Sequence, residues 1–155
     1  MLVSTLCHIE KDSCWLMMYR NKKKNDLNAG KWVGIGGKSE PGETPEQCAI
    51  REIFEETGLT VTNLRPAGLV HFRSDTWEDE EMYLFSASEF TGTLTEDCRE
   101  GELRWIPKEE IPDLPMWAGD RYFMEPLLEG RTDIELTVCY RGEELTEWYF
   151  GKERA

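Results

Sequence analysis

Short apolar runs broken by polar turns outline the chain. Residues 3–9 (VSTLCHI) and 14–19 (CWLMMY) are rich in strand formers and are separated by Glu10-Lys11-Asp12-Ser13, which predicts a hairpin of core strands. The next stretch, RNKKKNDLNAGKW from Arg20, has no periodicity and reads as a loop, either solvated or anion-binding. WVGIGGK is a short strand closing on glycines. Behind it, Thr44 can cap a helix, Pro45 suits its first position, Gln47 completes a capping box and Gly58 stops it, so the span is 45–57. VTNLRPAGLVHFR and EMYLFSASEF read as two strands around the acidic hairpin loop SDTWEDEE. LRWIPKEEIPDLP runs from a strand into a proline-punctuated turn, and GDRYFMEPLLEG predicts a second helix of about ten residues that Pro126 can kink. DIELTVCYRGEELTEWYF splits at Arg141-Gly142-Glu143-Glu144 into a final hairpin. The order implies an α/β (α+β) sandwich of sheet and helices, one domain over residues 1–155.

Charge narrows the function classes. A net charge of −13 speaks against a nucleic-acid polymer or an anionic membrane as partner, because a phosphate-tracking surface carries a basic stripe. A phosphorylated substrate would then need cations to mediate. Five cysteines without a CxxC pair fit reduced thiols better than a disulfide framework or a zinc knuckle. No run approaches ~18 apolar residues, and no basic segment precedes an apolar one at the N-terminus, so a cytoplasmic protein is expected.

The helix at 45–57 ends in REIFEETG, where Glu52 meets Glu55 and Glu56 at repelling spacings. On a helical wheel with Glu52 at zero, Glu55 falls at about 300° and Glu56 at about 40°, while Ile50, Ile53, Phe54 and Thr57 fall roughly opposite. The pattern predicts one core face and one carboxylate face. An exposed acidic face is one explanation. The other is a hard divalent cation: Mg²⁺ takes a few carboxylates together with water and phosphate oxygens, and the helix C-terminus otherwise disfavours this charge. The glycine turn just upstream would let a backbone carbonyl approach such an ion.

Read together, Gly37 to Leu59, GKSEPGETPEQCAIREIFEETGL, matches the pattern G-x5-E-x7-R-E-U-x-E-E-x-G-U, with U aliphatic, at every specified position. Seven identities at fixed spacing arise by chance on the order of once in 10⁸ start positions, so the match is a strong signal. The chain is thereby identified as resembling the Nudix hydrolase family. NKKKND, GKWVGIGGK, EGELRWIP, MWAGDRYF and the closing hairpin make it similar to the MutT-like and MutX-like 8-oxo-dGTP diphosphatases of that family. The resemblance implies an α/β/α sandwich with a mixed central sheet and a catalytic loop-helix-loop.

It also implies hydrolysis of a nucleoside triphosphate to monophosphate and pyrophosphate, with Mg²⁺ as cofactor and Mn²⁺ as a substitute. Glu52, Glu55, Glu56 and the Gly36 carbonyl would be metal ligands. Arg51 would orient the glutamates, and Glu43 would brace the loop. Glu100 is the best match for a further acidic ligand from a later loop, with Glu102 in reserve. Glu52 is favoured as general base, ahead of Glu55 and Glu100. Lys38, with Arg20 or Lys23 from the basic loop, would contact phosphates, although Arg20 also reads as a snorkelling surface residue. Base recognition would rest on Trp117, by stacking, and on Asp120, as an acceptor for guanine-type N–H groups. Core packing of Trp117 and helix capping by Asp120 are the alternatives. Trp32 would edge the pocket, whereas Trp15, Trp77, Trp105 and Trp148 read as core or strand-face residues.

Two departures bear on base preference: Gly119-Asp120 stands where the vertebrate-type enzymes have two aspartates, and Val33 where they have asparagine. His8 and His71 read as packing residues. ADP-ribose or a dinucleoside polyphosphate is the alternative substrate, and a non-catalytic binding module the alternative class. Monomer and homodimer both remain open.

Overall fold

The computed structural model describes residues 1–22 and 24–154. Its strands are β1 (Leu2–Lys11), β2 (Cys14–Tyr19), β3 (Trp32–Val33), β4 (Ile35–Lys38), β5 (Leu59–Thr62), β6 (Arg65–Ser74), β7 (Glu80–Ala87), β8 (Glu89–Gly92), β9 (Glu102–Pro107), β10 (Ile134–Arg141) and β11 (Glu144–Phe150). The helices are α1 (Pro45–Thr57) and α2 (Arg121–Leu128), with a 3₁₀ turn at Lys108–Asp113. Nine strands form one mixed sheet in the order β11-β10-β6-β7-β1-β2-β3, with β4 added to β1 and β9 to β2. β1 runs parallel to β7, and β6 parallel to β10; the remaining pairs are antiparallel. Among the described residues no helix is long and apolar enough to cross a membrane.

Alternation along the central strands sends neighbours to opposite faces. Leu84 enters a core with Val70, Leu136, Val138 and the α2 residues Phe123, Met124 and Leu127. Phe85, the next residue, enters another with Cys7, Ile9, Ile35 and the α1 residues Ala49 and Ile53. The sheet is therefore covered by a helix on each side, the expected sandwich.

The start of α1 is as the sequence predicts. Thr44 accepts the Gln47 N–H at 3.2 Å, and the Gln47 side chain accepts the Thr44 N–H at 2.9 Å. Gly58 closes the helix in a left-handed conformation, φ 81°, with its N–H on the Phe54 carbonyl. A side chain there is strained and would also meet the Thr93 carbonyl.

Which side of α1 is buried differs from the wheel. Ile50 and Phe54 are 39% and 58% exposed, whereas Cys48, Ala49, Ile53 and Thr57 are buried. The inward arc is shared: Ala49 and Ile53 fill the core, and the adjoining Glu52 and Glu56 face β4 and the 93–101 loop, so the carboxylates sit beside the core rather than opposite it. Three smaller differences are local. β5 and β8 form a separate two-stranded sheet, too short to be read from alternation. The proline-punctuated turn is a 3₁₀ turn around Pro112. Helix α2 spans only eight residues, with Pro126 inside it removing an N–H from the last turn.

Candidate active site

Arg51 organises the acidic end. Its Nε donates to Glu43 Oε2 at 2.6 Å and its Nη2 to Glu43 Oε1 at 3.0 Å, a two-pronged pair that draws Glu43 down to a pKa of about 2. Arg51 Nη2 also donates to the Lys38 carbonyl at 3.1 Å, tying the glycine turn to the helix. Arg51 Nη1 reaches Glu52 Oε1 at 2.9 Å and Glu55 Oε2 at 3.2 Å. The Glu43 bond, and then those to Glu52, stabilise the Arg51 cation against its partial burial.

Gly37 lies against Glu52 from the sheet side: a Cβ there would stand 2.5 Å from the carboxyl carbon, so a side chain at this position would push the carboxylate aside. Gly36 sits in β4 opposite Leu6, and Lys38 ends that strand with an exposed side chain.

Glu56 is the least satisfied of the group. Its Oε2 is buried and has no hydrogen-bond partner among the described residues. Burial first, and then the Glu100 carboxylate, to which protonated Glu56 donates, push its pKa up to about 9. Glu52 is also raised, by burial above all, with Arg51 opposing. The 93–101 loop reaches the helix through Thr95 N–H on the Thr57 carbonyl, 2.8 Å, and places Glu100 rather than Glu102 here. Glu102 instead pairs with Arg104 at 2.8 Å.

Among the described residues no three His, Cys, Asp or Glu side chains already converge as a metal cage. Glu52 and Glu55 are drawn aside by Arg51. A buried orphan carboxylate oxygen beside a second carboxylate nevertheless fits a hard cation, which would relieve both desolvation and repulsion.

Arg20 is neither a surface residue nor open to a phosphate. It is 9% exposed, with Nε on Asp26 Oδ2 at 2.7 Å and Nη1 on Glu100 Oε2 at 2.9 Å. Burial alone would lower its pKa; the bonds to Asp26 and Glu100 raise it. Lys22 pins the same loop through the Cys98 carbonyl, 3.2 Å. Much of the basic stretch thus serves to hold an acidic one. Lys23 lies outside the described residues.

The second group gathers around Trp117. Its Nε1 donates to Asn28 Oδ1 at 2.7 Å. Lys31 Nζ stands 4.5 Å from the Trp117 ring centre, and Trp77 and Tyr140 meet that ring edge-on at 6.0 and 5.4 Å. Trp32 is joined to the same segment by its N–H on the Pro115 carbonyl, 2.8 Å. Trp77, expected in the core or on a strand face, sits instead in the β6–β7 loop and is 37% exposed.

Asp120 does not cap α2 with its side chain. Its backbone is already helical (φ −66°, ψ −31°), so the carboxylate does not bond the first-turn amides. It is buried, and that burial, opposed by Lys31, lifts its pKa to about 7.

The histidines pack, but not alike. His71 lies in the sheet between the Glu81 and Glu135 carboxylates. His8 stacks near Trp15 with both ring nitrogens unpartnered among the described residues, and burial lowers its pKa to about 3. Sequence reasoning missed Asp26, Asn28, Lys31, Trp77 and Tyr140 as members of these groups. Asn28 and Lys31 carried only the signal of lying in an unexplained polar loop; Tyr140 carried none.

Residues 3–127 match the NUDIX domain family. The chain is a member of that family. It is 38% identical over 110 residues to the oxidized purine nucleoside triphosphate hydrolase of Mus musculus, covering 70% of each chain. To the protein of the same name from Danio rerio it is 39% identical over 113 residues, again 70% of each. Among solved structures, a mutator MutT protein from Bacillus halodurans superposes with a TM-score of 0.87 at 29% identity, covering 99% of this chain and 100% of that one. The NUDIX match contains all of the acidic group, the Glu100 loop and Trp117 to Asp120, and it stops before β10 and β11.

Proposed function

We propose that this Nudix hydrolase converts an oxidised purine nucleoside triphosphate, 8-oxo-dGTP first among candidates, to the monophosphate and pyrophosphate, acting as a single cytoplasmic domain. The observation that carries the chemistry is the Glu56–Glu100 pair, with its buried orphan oxygen next to Glu52 on the inward arc of α1. Glu52, Glu55, Glu56, Glu100 and the Gly36 carbonyl are the groups that would hold Mg²⁺, or Mn²⁺ in its place. Such a cation, when bound, neutralises phosphate charge and makes a water more acidic.

The remaining work falls to the chain itself. Arg51 fixes Glu52 and Glu55 in orientation, and Glu43 fixes Arg51. Glu52, 16% exposed and pressed by Gly37, is the candidate base for the attacking water, since its raised pKa brings it nearer the working pH. Arg20 acts as a positioning residue for Glu100. Lys38, exposed at the end of β4, would meet a phosphate. Trp117 would offer a ring to the base and Asp120 an acceptor; the names of the mouse and zebrafish relatives favour an oxidised purine there.

Pyrophosphate release from purified protein tests this. The kcat/KM for 8-oxo-dGTP should exceed that for dGTP by at least about tenfold, or 1.4 kcal/mol. Equal rates on all four ordinary dNTPs would sink the substrate assignment, and release of AMP and ribose 5-phosphate from ADP-ribose, or of two nucleotides from a dinucleoside polyphosphate, would replace it.

A further inference from the structure

The β10–β11 hairpin lies beyond the segment matched to the NUDIX domain, yet it reaches the wall around Trp117. Its ladder shifts register between Cys139 and Tyr140, and an irregularity of this kind bends a strand and re-aims the adjoining side chain. Tyr140 is buried, with its hydroxyl accepting the Gly119 N–H at 2.8 Å. Its carbonyl accepts the Asp75 N–H at 3.3 Å, in the loop that carries Trp77. Gly119 is the complement of the phenol. A Cβ there would stand 2.7 Å from the Tyr140 hydroxyl and 3.0 Å from Val138 Cγ1, so the phenol oxygen fills the space a side chain would need.

We propose that Tyr140 is a specificity-determining positioning residue, whose hydroxyl, seated in the space left by Gly119, fixes the turn that presents Trp117 and Asp120 to a purine base. The inference rests on the reading of Trp117 and Asp120 as the base site. Removing the hydroxyl takes away the acceptor of a buried N–H, and the turn must relax to find another. This bond lies among the aromatic residues around Trp117, apart from the carboxylate group centred on Arg51, so recognition of the base suffers more than hydrolysis.

The test compares Tyr140→Phe, Gly119→Ala, the double variant and Trp117→Ala, with 8-oxo-dGTP and, as a pyrimidine control, dCTP, followed by pyrophosphate release. Tyr140→Phe should raise KM for 8-oxo-dGTP several-fold, with a smaller change in kcat and in KM for dCTP. Gly119→Ala should raise KM further in the native background than in Tyr140→Phe, where the missing hydroxyl makes room for the methyl; the two effects are then non-additive. Independent effects, or an equal rise in KM for purine and pyrimidine, would overturn the proposal. If Trp117→Ala abolishes the purine preference and Tyr140→Phe retains it, the positioning role alone is wrong. If Trp117→Ala retains it, the base-site reading fails and this proposal fails with it.

Discussion

At the acidic end the strong contacts join charge to charge, and the stress is an excess of negative charge: Arg51 serves Glu43, Glu52 and Glu55, while Glu56 is left with a buried bare oxygen. Around Trp117 the contacts are ring edges, a cation over a ring face and neutral hydrogen bonds, beside the buried Asp120 carboxyl. Apart from Glu100 and Arg20, the acidic end comes from one segment, Gly36 to Gly58. The other draws on residues 28–32, 77, 117–120 and 140. On the proposed reading one end holds a cation and the other recognises a base, so damage to each should appear in a different kinetic constant.

The largest effect is expected from Glu52→Gln, which keeps the shape and removes the proposed base. Its kcat should fall by about 10²–10⁴-fold with little change in KM. Trp117→Ala should do the reverse, since base–aromatic stacking of about 1–3 kcal/mol corresponds to a rise in KM of roughly five- to 150-fold. Steady-state pyrophosphate release on both variants decides the matter. A fall in kcat for Trp117→Ala as large as that for Glu52→Gln would erase the division between the two ends.

Smaller effects separate the ends by pH in the metal-free protein. Glu56 and Asp120 both have folded pKa values above their unfolded ones, at about 9 and about 7. The folded state therefore binds more protons than the unfolded one. The stability each group contributes is complete below its unfolded pKa of about 4 and declines as pH rises, up to its folded value. With EDTA present, the native melting temperature should fall from pH 5 to pH 9. Glu56→Gln should flatten the decline over the whole range up to pH 9, and Asp120→Asn only the part below pH 7. Adding Mg²⁺ at pH 8 should raise the native melting temperature by about 2–4 °C per kcal/mol of binding linkage, and less in Glu56→Gln. Thermal melts over this range give the answer. A native protein indifferent to millimolar Mg²⁺ would count against the cation site.

The same asymmetry explains what was legible in the sequence. Helix α1, its cap and its stop depend on neighbours three or four residues away, so local spacing alone assigns Thr44, Gln47 and Gly58 their roles. The direction of its faces is not local. Ile50 and Phe54 are as apolar as Ile53, and only the packing of Gly37 and the Glu100 loop against the helix decides that Glu52 and Glu56 turn inward. The burial of Arg20 is equally non-local, since its partner Glu100 stands eighty positions away. Around Trp117, local patterning predicted the β10 strand that carries Tyr140 but held no information about the turn that strand would meet.

The smallest predicted effect examines the join between the ends. Glu100 bonds Arg20, Arg20 bonds Asp26, Asp26 Oδ1 accepts the Asn28 N–H at 3.1 Å, and Asn28 Oδ1 accepts from Trp117. One loop therefore touches both groups, but its last link is a single neutral hydrogen bond, with a net value of about 0.5–1.5 kcal/mol. Asn28→Ala should raise KM by about two- to tenfold and change kcat less, because the Arg20–Asp26 pair that steadies Glu100 does not need the Asn28 side chain. If kcat falls as far as KM rises, the loop transmits strain from the aromatic wall to Glu100, and the two ends work as one unit.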